Sequence, residues 1–283
     1  MRERQTKKKK NFGAWATIAL CVLGMAGLGI SAVLGSGAKE MKANYCIGEG
    51  LPGTAIAIDW SPPLWNDMQR RALQEYFALL YQSRLASNER FTIYATKGSD
   101  FSGIPKVSFA LCKPVQTGGE AVNVGGNDLA EPYLKNKDTK AFTKMFWPEI
   151  ERMLNSRLDE KGVMIKESPI LELSQSLSRV SDLTGRPFNR LVLISDLIQN
   201  ADGVTFCYKP DQRVPAYQKL AASHHWRRLQ PSSFSGVDVE VLMLLRDSQK
   251  LYCTADELED FFREYFSKNG AKSFKAIRLR EGA

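Results

Sequence analysis

The sequence predicts an α/β fold: a doubly wound, mainly parallel sheet with one antiparallel edge strand, preceded by a transmembrane helix. Three observations lead to this prediction. Short apolar runs typical of buried strands alternate with longer segments of helical periodicity. One pair of strands is joined by a connection too short for a helical crossover. An uncharged stretch near the start, residues 12–35, is long enough to cross a bilayer.

The positive charge of the chain is concentrated at its amino terminus. Residues 1–10 carry six basic residues and one acid, which is +5 of the total net charge of +8 and leaves +3 for the remainder. So small a charge gives no basis for nucleic-acid binding by the folded part. Because the basic residues precede the apolar stretch, the positive-inside rule places residues 1–11 in the cytoplasm.

Residues 12–35 are interpreted as a signal anchor, a transmembrane helix that is not removed. At 1.5 Å per residue the stretch spans about 36 Å, more than the hydrocarbon core. A cleavable signal peptide is the alternative, because Ser36, Gly37 and Ala38 resemble a small-residue cleavage site. The length of the apolar stretch favours the anchor. The rest of the chain is then expected in the periplasm of a Gram-negative bacterium, held at the inner membrane.

The exported part is divided into a linker and one domain. Residues 36–53 are small, polar and glycine-rich, which is typical of a linker. Residues 54–283 are predicted to form the domain. Its six apolar runs are interpreted as strands over residues 54–60, 90–96, 106–112, 189–197, 237–245 and 273–280. The second and third are expected to form the antiparallel hairpin, since only a short segment separates them.

Four segments carry apolar residues at helical spacing, and they cover residues 64–85, 139–158, 169–183 and 255–269. Pro148 is expected to kink or divide the second of them. Thr254 and Glu257 predict a capping box at the start of the last, and Gly270 marks its end. The polar stretch 113–138 is predicted to be a long loop.

Four cysteines follow the anchor, and their spacing is not that of a metal site: Cys46, Cys112, Cys207 and Cys253. In an oxidising compartment they allow one or two disulfides, and two disulfides allow three pairings. Four free and partly buried thiols are the alternative.

Polar side chains stand at the ends of two predicted strands. Asp59 ends the first strand and is followed by Ser61 and two prolines, and Asp196 ends the fourth strand. Ser168 lies just before a predicted helix. Ligands of such sheets bind beyond the carboxyl ends of the strands, so these residues predict a polar site there.

The element order and these residues together resemble the von Willebrand factor A (vWA) domain over residues 54–281. That family coordinates a divalent cation with an Asp-x-Ser-x-Ser turn after its first strand, a Thr in a middle loop and an Asp after its fourth strand. The resemblance implies a site for Mg²⁺ or Mn²⁺ with these ligands: Asp59, Ser61, Ser168 and Asp196.

The turn departs from the family pattern at its third position. Pro63 stands where the family has a serine, and its side chain has no oxygen to offer a cation. The resemblance is therefore to a degenerate metal site, and the protein either binds the cation with an added water or uses no cofactor. The structural alternative is that Asp59 caps the following helix and Asp196 accepts backbone N–H bonds in its own loop.

The two histidines of the chain lie in an aromatic and basic segment that consists of His224, His225, Trp226, Arg227 and Arg228. The functional interpretation is a surface that binds a partner or lipid headgroups. A solvated connection between strands is the alternative.

The vWA resemblance implies an adhesion or assembly module, here anchored in the bacterial envelope and binding another envelope or membrane protein. No enzyme is expected: position 61 is Ser61, not the second acid of the haloacid dehalogenase pattern, and no Gly-x-Ser-x-Gly elbow is present. Two alternatives stay open. One is a membrane-tethered, metal-dependent hydrolase using Asp59 and Asp196, and the other is a structural subunit with a dead metal site.

Overall fold

The computed structural model describes residues 38–60, 65–95, 105–155, 168–180, 187–201, 203–246 and 251–280. The predicted transmembrane stretch, residues 12–35, lies outside them, and so does Ser61. No helix among the residues that are described is long and apolar enough to cross a membrane.

Eight strands are present in this part of the chain: β1 (Leu51–Ile58), β2 (Glu89–Ala95), β3 (Lys106–Cys112), β4 (Phe188–Ser195), β5 (Asn200–Ala201), β6 (Val204–Thr205), β7 (Asp238–Leu244) and β8 (Ser273–Leu279). Six of them form one sheet in the order β3-β2-β1-β4-β7-β8, and β5 and β6 form a separate small hairpin. Every neighbouring pair in the large sheet is parallel except β2 with β3. The predicted α/β fold with one antiparallel edge is confirmed.

The helices of the described residues are α1 (Asp67–Leu79), α2 (Gly118–Asn123), α3 (Glu131–Ala141), α4 (Trp147–Asn155), α5 (Ile170–Ser178), α6 (Tyr217–Ala221), α7 (Trp226–Leu229) and α8 (Ala255–Lys268). They cover both faces of the sheet. One face packs Ile56 and Ile58 of β1 against α1 and α4, and the other packs Ala55 and Ala57 against α5 and α8. This two-sided burial follows from the period-two alternation of the strands.

The chain reverses direction across the sheet between β1 and β4. It runs from β1 outward to β2 and β3, and then continues from β4 outward to β7 and β8. β1 and β4 are parallel neighbours, with Ile58 opposite Ile194. The residues just after these two strands therefore meet at one edge, at the point where open α/β sheets bind ligands.

Two helical predictions differ from the structure in their bounds. α1 begins at residue 67 because Asn66 caps it: the Asn66 side-chain Oδ1 accepts the Gln69 N–H, and the Gln69 side-chain Oε1 accepts the Asn66 N–H. The predicted loop 113–138 contains α2 and most of α3, and α3 continues through a π-helical turn into α4. Pro148 is the second residue of α4, directly after the π-helical turn Phe142–Phe146.

Residues 38–53, predicted as part of a linker, are folded against the domain, and β1 itself begins at Leu51. Cys46 is joined to Cys112 of β3 by a disulfide. Asn88 holds the buried Ile47 by two bonds, accepting its N–H at 2.9 Å and donating to its carbonyl oxygen at 3.1 Å. The composition indicates flexibility, but the crosslink and the Asn88 bonds fix this segment in place.

The remaining cysteines form a second disulfide, Cys207–Cys253. The structure thus contains two disulfides and selects one of the three possible pairings. The capping box of α8 is also confirmed, since Thr254 accepts the Glu257 N–H and the Glu257 carboxylate accepts the Thr254 N–H. Gly270 ends the helix with a positive φ of 91°.

Candidate functional site

Asp59 and Asp196 meet at the carboxyl ends of β1 and β4. The Asp59 N–H donates to the Ile194 carbonyl oxygen at 2.9 Å, which extends the pairing of the two strands by one residue. The two acidic residues are 8% and 7% exposed. The negative charge of Asp59 is close enough to raise the pKa of Asp196. The structure therefore brings both predicted aspartates to one edge of the sheet.

Two serine hydroxyls donate to the same carboxylate oxygen of Asp59. Ser168 Oγ lies 2.7 Å from Asp59 Oδ2, and Ser195 Oγ lies 3.0 Å from it. Ser168 is held by two backbone hydrogen bonds to Asn200, at 3.0 and 2.8 Å. Ser168 thus joins the site as predicted, whereas Ser195 was not among the predicted site residues. Its position as the last residue of an apolar strand, just before Asp196, is a signal that could have identified it.

Both oxygens of Asp196 are engaged. Oδ1 accepts the Ile198 N–H at 3.0 Å, which is the loop contact named above as the structural alternative for Asp196. Oδ2 accepts the Arg246 Nε–H at 2.9 Å. Leu197 has a φ of +64°, a conformation that is costly for a bulky residue. It is held because the side chains of Ser195 and Asp196 accept the N–H groups of Leu197 and Ile198.

Arg246 is the main residue that the sequence prediction missed. It lies two residues beyond β7, the parallel neighbour of β4, and its side chain is 9% exposed. Its guanidinium makes a buried ion pair with Asp196. A charged residue placed directly after the apolar run 237–245 was the available signal.

Burial, and after it the charge of Asp59, raise the pKa of Asp196 from 3.8 to about 6. The charge of Arg246, the Ile198 N–H bond and the Arg246 hydrogen bond oppose that rise. The ion pair with Arg246 is therefore what keeps the Asp196 carboxylate ionised near neutral pH.

Two half-exposed tyrosines lie next to the Cys207–Cys253 disulfide, and one of them, Tyr208, is close enough to the cluster for its charges to act on it. Tyr208 is 47% exposed, and burial together with the charges of Asp196 and Asp59 raises its pKa. Tyr252 is 45% exposed, and its N–H donates to the Cys207 carbonyl oxygen at 2.9 Å. The Cys207–Cys253 disulfide joins the two segments. We call the surface formed by Asp59, Asp196, Arg246, Tyr208 and Tyr252 the strand-end face.

The aromatic and basic segment forms α7 and the turn before it, and α7 packs on α5. Trp226 is partly buried against the core, with its ring in T-shaped contact with Tyr217 at 5.4 Å. His224, Arg227 and Arg228 are exposed. The five residues thus do not present one common surface, because the indole packs inward. Partner binding by the exposed members stays a prediction.

The oxygen atoms of Asp59, Ser168, Ser195 and Asp196 are of the kind that Mg²⁺ prefers. The positive charge of Arg246 disfavours Mg²⁺ binding here, because the Arg246 guanidinium already donates to Asp196 Oδ2. Within the described ranges, no group of three or more His, Cys, Asp or Glu side chains is arranged to hold a metal. Metal binding at Asp59, Ser61, Ser168 and Asp196 stays a prediction. Helix capping by Asp59 is not observed, since Asn66 caps α1.

No protein-family model matches the chain, and no curated protein matches it either. The mostly parallel sheet is compatible with a vWA-like or Rossmann-like domain. The case for a vWA-like domain therefore depends on strand order and on the side chains at the strand ends.

Proposed function

We propose that the protein is a membrane-anchored, vWA-like binding module of the bacterial envelope that holds another envelope or membrane protein at its strand-end face. The observation that carries this proposal is the pair of half-exposed tyrosines, Tyr208 and Tyr252, beside a buried charged cluster. Tyrosine combines a large apolar ring with a polar hydroxyl and is enriched among the residues that dominate protein–protein interfaces. The disulfide next to both residues limits the entropy that they lose on binding.

The polar contacts of the site favour recognition over catalysis. Ser168 and Ser195 both commit their hydroxyl hydrogens to Asp59. Asp196 is bonded to Arg246 and to a backbone N–H. Side chains that are bonded to one another in this way stiffen the edge of the sheet.

A membrane-tethered hydrolase is the second candidate, and one observation favours it. Burial and the charge of Asp59 raise the pKa of Asp196 to about 6, and a carboxyl group that titrates near neutral pH can exchange a proton with a substrate. This candidate predicts turnover of a hydrolysable substrate by the wild type and its loss in Asp59→Ala. The binding module predicts no turnover in either protein.

The two disulfides support an exported domain. Disulfides form and persist in oxidising compartments such as the periplasm and are rare in the cytosol. The basic residues 1–11 and the uncharged residues 12–35 supply the pattern of an inner-membrane anchor with a cytoplasmic amino terminus.

The described chain enters the domain at the edge of the sheet opposite the strand-end face. Residues 38–50 lie beside the first residues of β1 and β2 and the last residue of β3, as the Cys46–Cys112 disulfide and the bonds to Asn88 show. At about 3.3 Å per residue, β1 places Asp59 roughly 26 Å further on. An anchor in residues 12–35 would then leave the strand-end face pointing away from the bilayer and accessible from the periplasm.

Site-specific photo-crosslinking of the full chain in membranes tests the proposal. A photoreactive phenylalanine analogue replaces Tyr208 or Tyr252 in turn, and both positions are expected to yield an adduct with the same envelope or membrane protein. Tyr133 of α3, which is 48% exposed, is a matched control and is expected to yield none. The absence of an adduct at 208 and 252, or the same adduct at 133, would contradict the proposal.

A further inference from the structure

The strand-end face contains two buried carboxylates, whose negative charges require a positive counter-charge. Asp59 and Asp196 lie side by side at the ends of neighbouring parallel strands, and both are more than nine-tenths buried. Like charges at this range repel, and burial strengthens the repulsion because solvent screens it less. A positive charge is therefore needed at this edge, and in the vWA pattern described above a divalent cation supplies it.

Arg246 supplies that charge from within the chain. Its Nε donates to Asp196 Oδ2 at 2.9 Å, and both side chains are more than nine-tenths buried. A guanidinium stays protonated at all physiological pH values, so this charge is permanent.

The backbone that carries Arg246 is fixed by a buried side chain from α1. Gln69 is 1% exposed, and its amide nitrogen donates to the carbonyl oxygens of Leu245 and Leu279, at 3.1 and 2.9 Å. The Leu245 N–H also donates to the Leu279 carbonyl oxygen at 3.0 Å. The residue before Arg246 is thus tied to α1 and β8, which holds the guanidinium against Asp196.

A divalent cation would compete with this arrangement for the same oxygens. A metal ligated by Asp196 Oδ2 at about 2.1 Å would lie next to the guanidinium, and two positive groups would repel each other. Ser195 Oγ donates to Asp59 and also accepts the Leu197 N–H at 2.8 Å, which reduces its capacity to ligate a cation.

We infer that Arg246 takes the place of a divalent cation, so that the strand-end face is a cation-independent binding surface with a built-in positive charge. The inference rests on the proposed function only for what this face binds. The charge balance itself is measurable in the absence of a partner.

Thermal melting of the full chain in detergent, with Mn²⁺ or Mg²⁺ against EDTA, tests the inference. The wild type is expected to melt at the same temperature in all three conditions, and Arg246→Lys, which keeps the charge, is expected to do the same. Arg246→Ser, which uncovers the carboxylates, is expected to melt lower in EDTA and to recover part of the loss in Mn²⁺. That recovery is expected to disappear when Asp196→Asn is added.

Equilibrium dialysis against Mn²⁺ gives a second readout, taken on the wild-type protein. The wild type is expected to bind no more Mn²⁺ than Asp196→Asn does. One additional Mn²⁺ per wild-type chain, or a rise in the wild-type melting temperature with either cation that Asp196→Asn abolishes, would overturn the inference. Failed crosslinking at Tyr208 and Tyr252 with a cation-insensitive wild type would remove the proposed function and leave the role of Arg246 standing.

Discussion

Arg246 donates to Asp196 Oδ2 at 2.9 Å, and this ion pair joins the carboxyl ends of the neighbouring strands β7 and β4. Asp59 lies beside the pair at the end of β1 and receives the hydroxyls of Ser168 and Ser195. The three charged residues come from three different strands of one sheet. The arrangement of these three charges is therefore a direct product of the parallel topology.

Removing Arg246 is expected to destabilise the domain. Arg246→Ala leaves Asp196 buried beside Asp59 without its counter-ion, and breaking such a pair costs about 2–4 kcal/mol of unfolding free energy at pH 7. Urea unfolding of the full chain measures the loss. Arg227→Ala, at an exposed position on α7, is the control and is expected to change stability by no more than about 0.5 kcal/mol. Equal effects of the two substitutions would contradict a buried ion pair.

The stability contribution of Asp196 is expected to fall as pH rises from about 4 to about 6. Its pKa is raised from 3.8 to about 6 in the folded state, so the folded chain keeps a proton that the unfolded chain releases over this range. The loss is about 3 kcal/mol and levels off above the folded pKa. Unfolding free energies at several pH values, for wild type and Asp196→Asn, isolate this contribution. A difference between the two proteins that does not vary over this range would show that the pKa of Asp196 is not raised.

A second charge pair, between the buried Glu240 and the partly exposed Arg84, lies nearer the other end of β7. Glu240 of β7 accepts hydrogen bonds from Tyr76 and Arg84, both at 2.6 Å, and is nearly buried. Because Arg84 is about one-third exposed and partly solvated, Glu240→Ala is expected to cost only about 2–3 kcal/mol. Lys275 lies opposite Glu240 in the register of the neighbouring strand β8, and it is exposed. Lys275→Ala therefore serves as the control, with an expected change below about 0.5 kcal/mol. Chemical denaturation measures both, and a Glu240→Ala effect as small as the control would exclude this role.

The Cys46–Cys112 disulfide is expected to hold the segment before β1 on the domain. Its removal by Cys46→Ser and Cys112→Ser frees a loop that spans 66 residues and is expected to cost about 2–4 kcal/mol. Limited proteolysis is expected to cut the double variant before Leu51 faster than the wild type. Equal cleavage rates would indicate that the Asn88 bonds to Ile47 are sufficient to hold the segment without the crosslink.

The sequence was informative where local pattern determines structure. The six strands and the α8 capping box follow from apolar runs and cap residues, and parallel strand ends bring Asp59 and Asp196 together. The antiparallel edge follows from the short connection before β3. These features depend on neighbours in sequence or on the general geometry of parallel sheets.

Other features depend on contacts between distant residues and left no local pattern. The charge of Arg246 is explained only by its contact with Asp196, 50 residues away. The composition of segment 38–50 is typical of a linker, and the residue that holds it on the domain, Asn88, is distant from Ile47 in sequence. α3 was predicted largely as loop because Leu134 and Ala141 are its only buried residues and its other positions are mostly polar.

The most direct test of the central claim is recovery of a partner with the tagged full chain, solubilised from its native membranes. The wild type and the matched control Tyr133→Ala are expected to recover the same envelope or membrane protein in equal yield. The double variant Tyr208→Ala/Tyr252→Ala is expected to lose at least about tenfold of it, with an unchanged melting temperature. Equal recovery with all three proteins would contradict the assignment of the strand-end face as the binding surface.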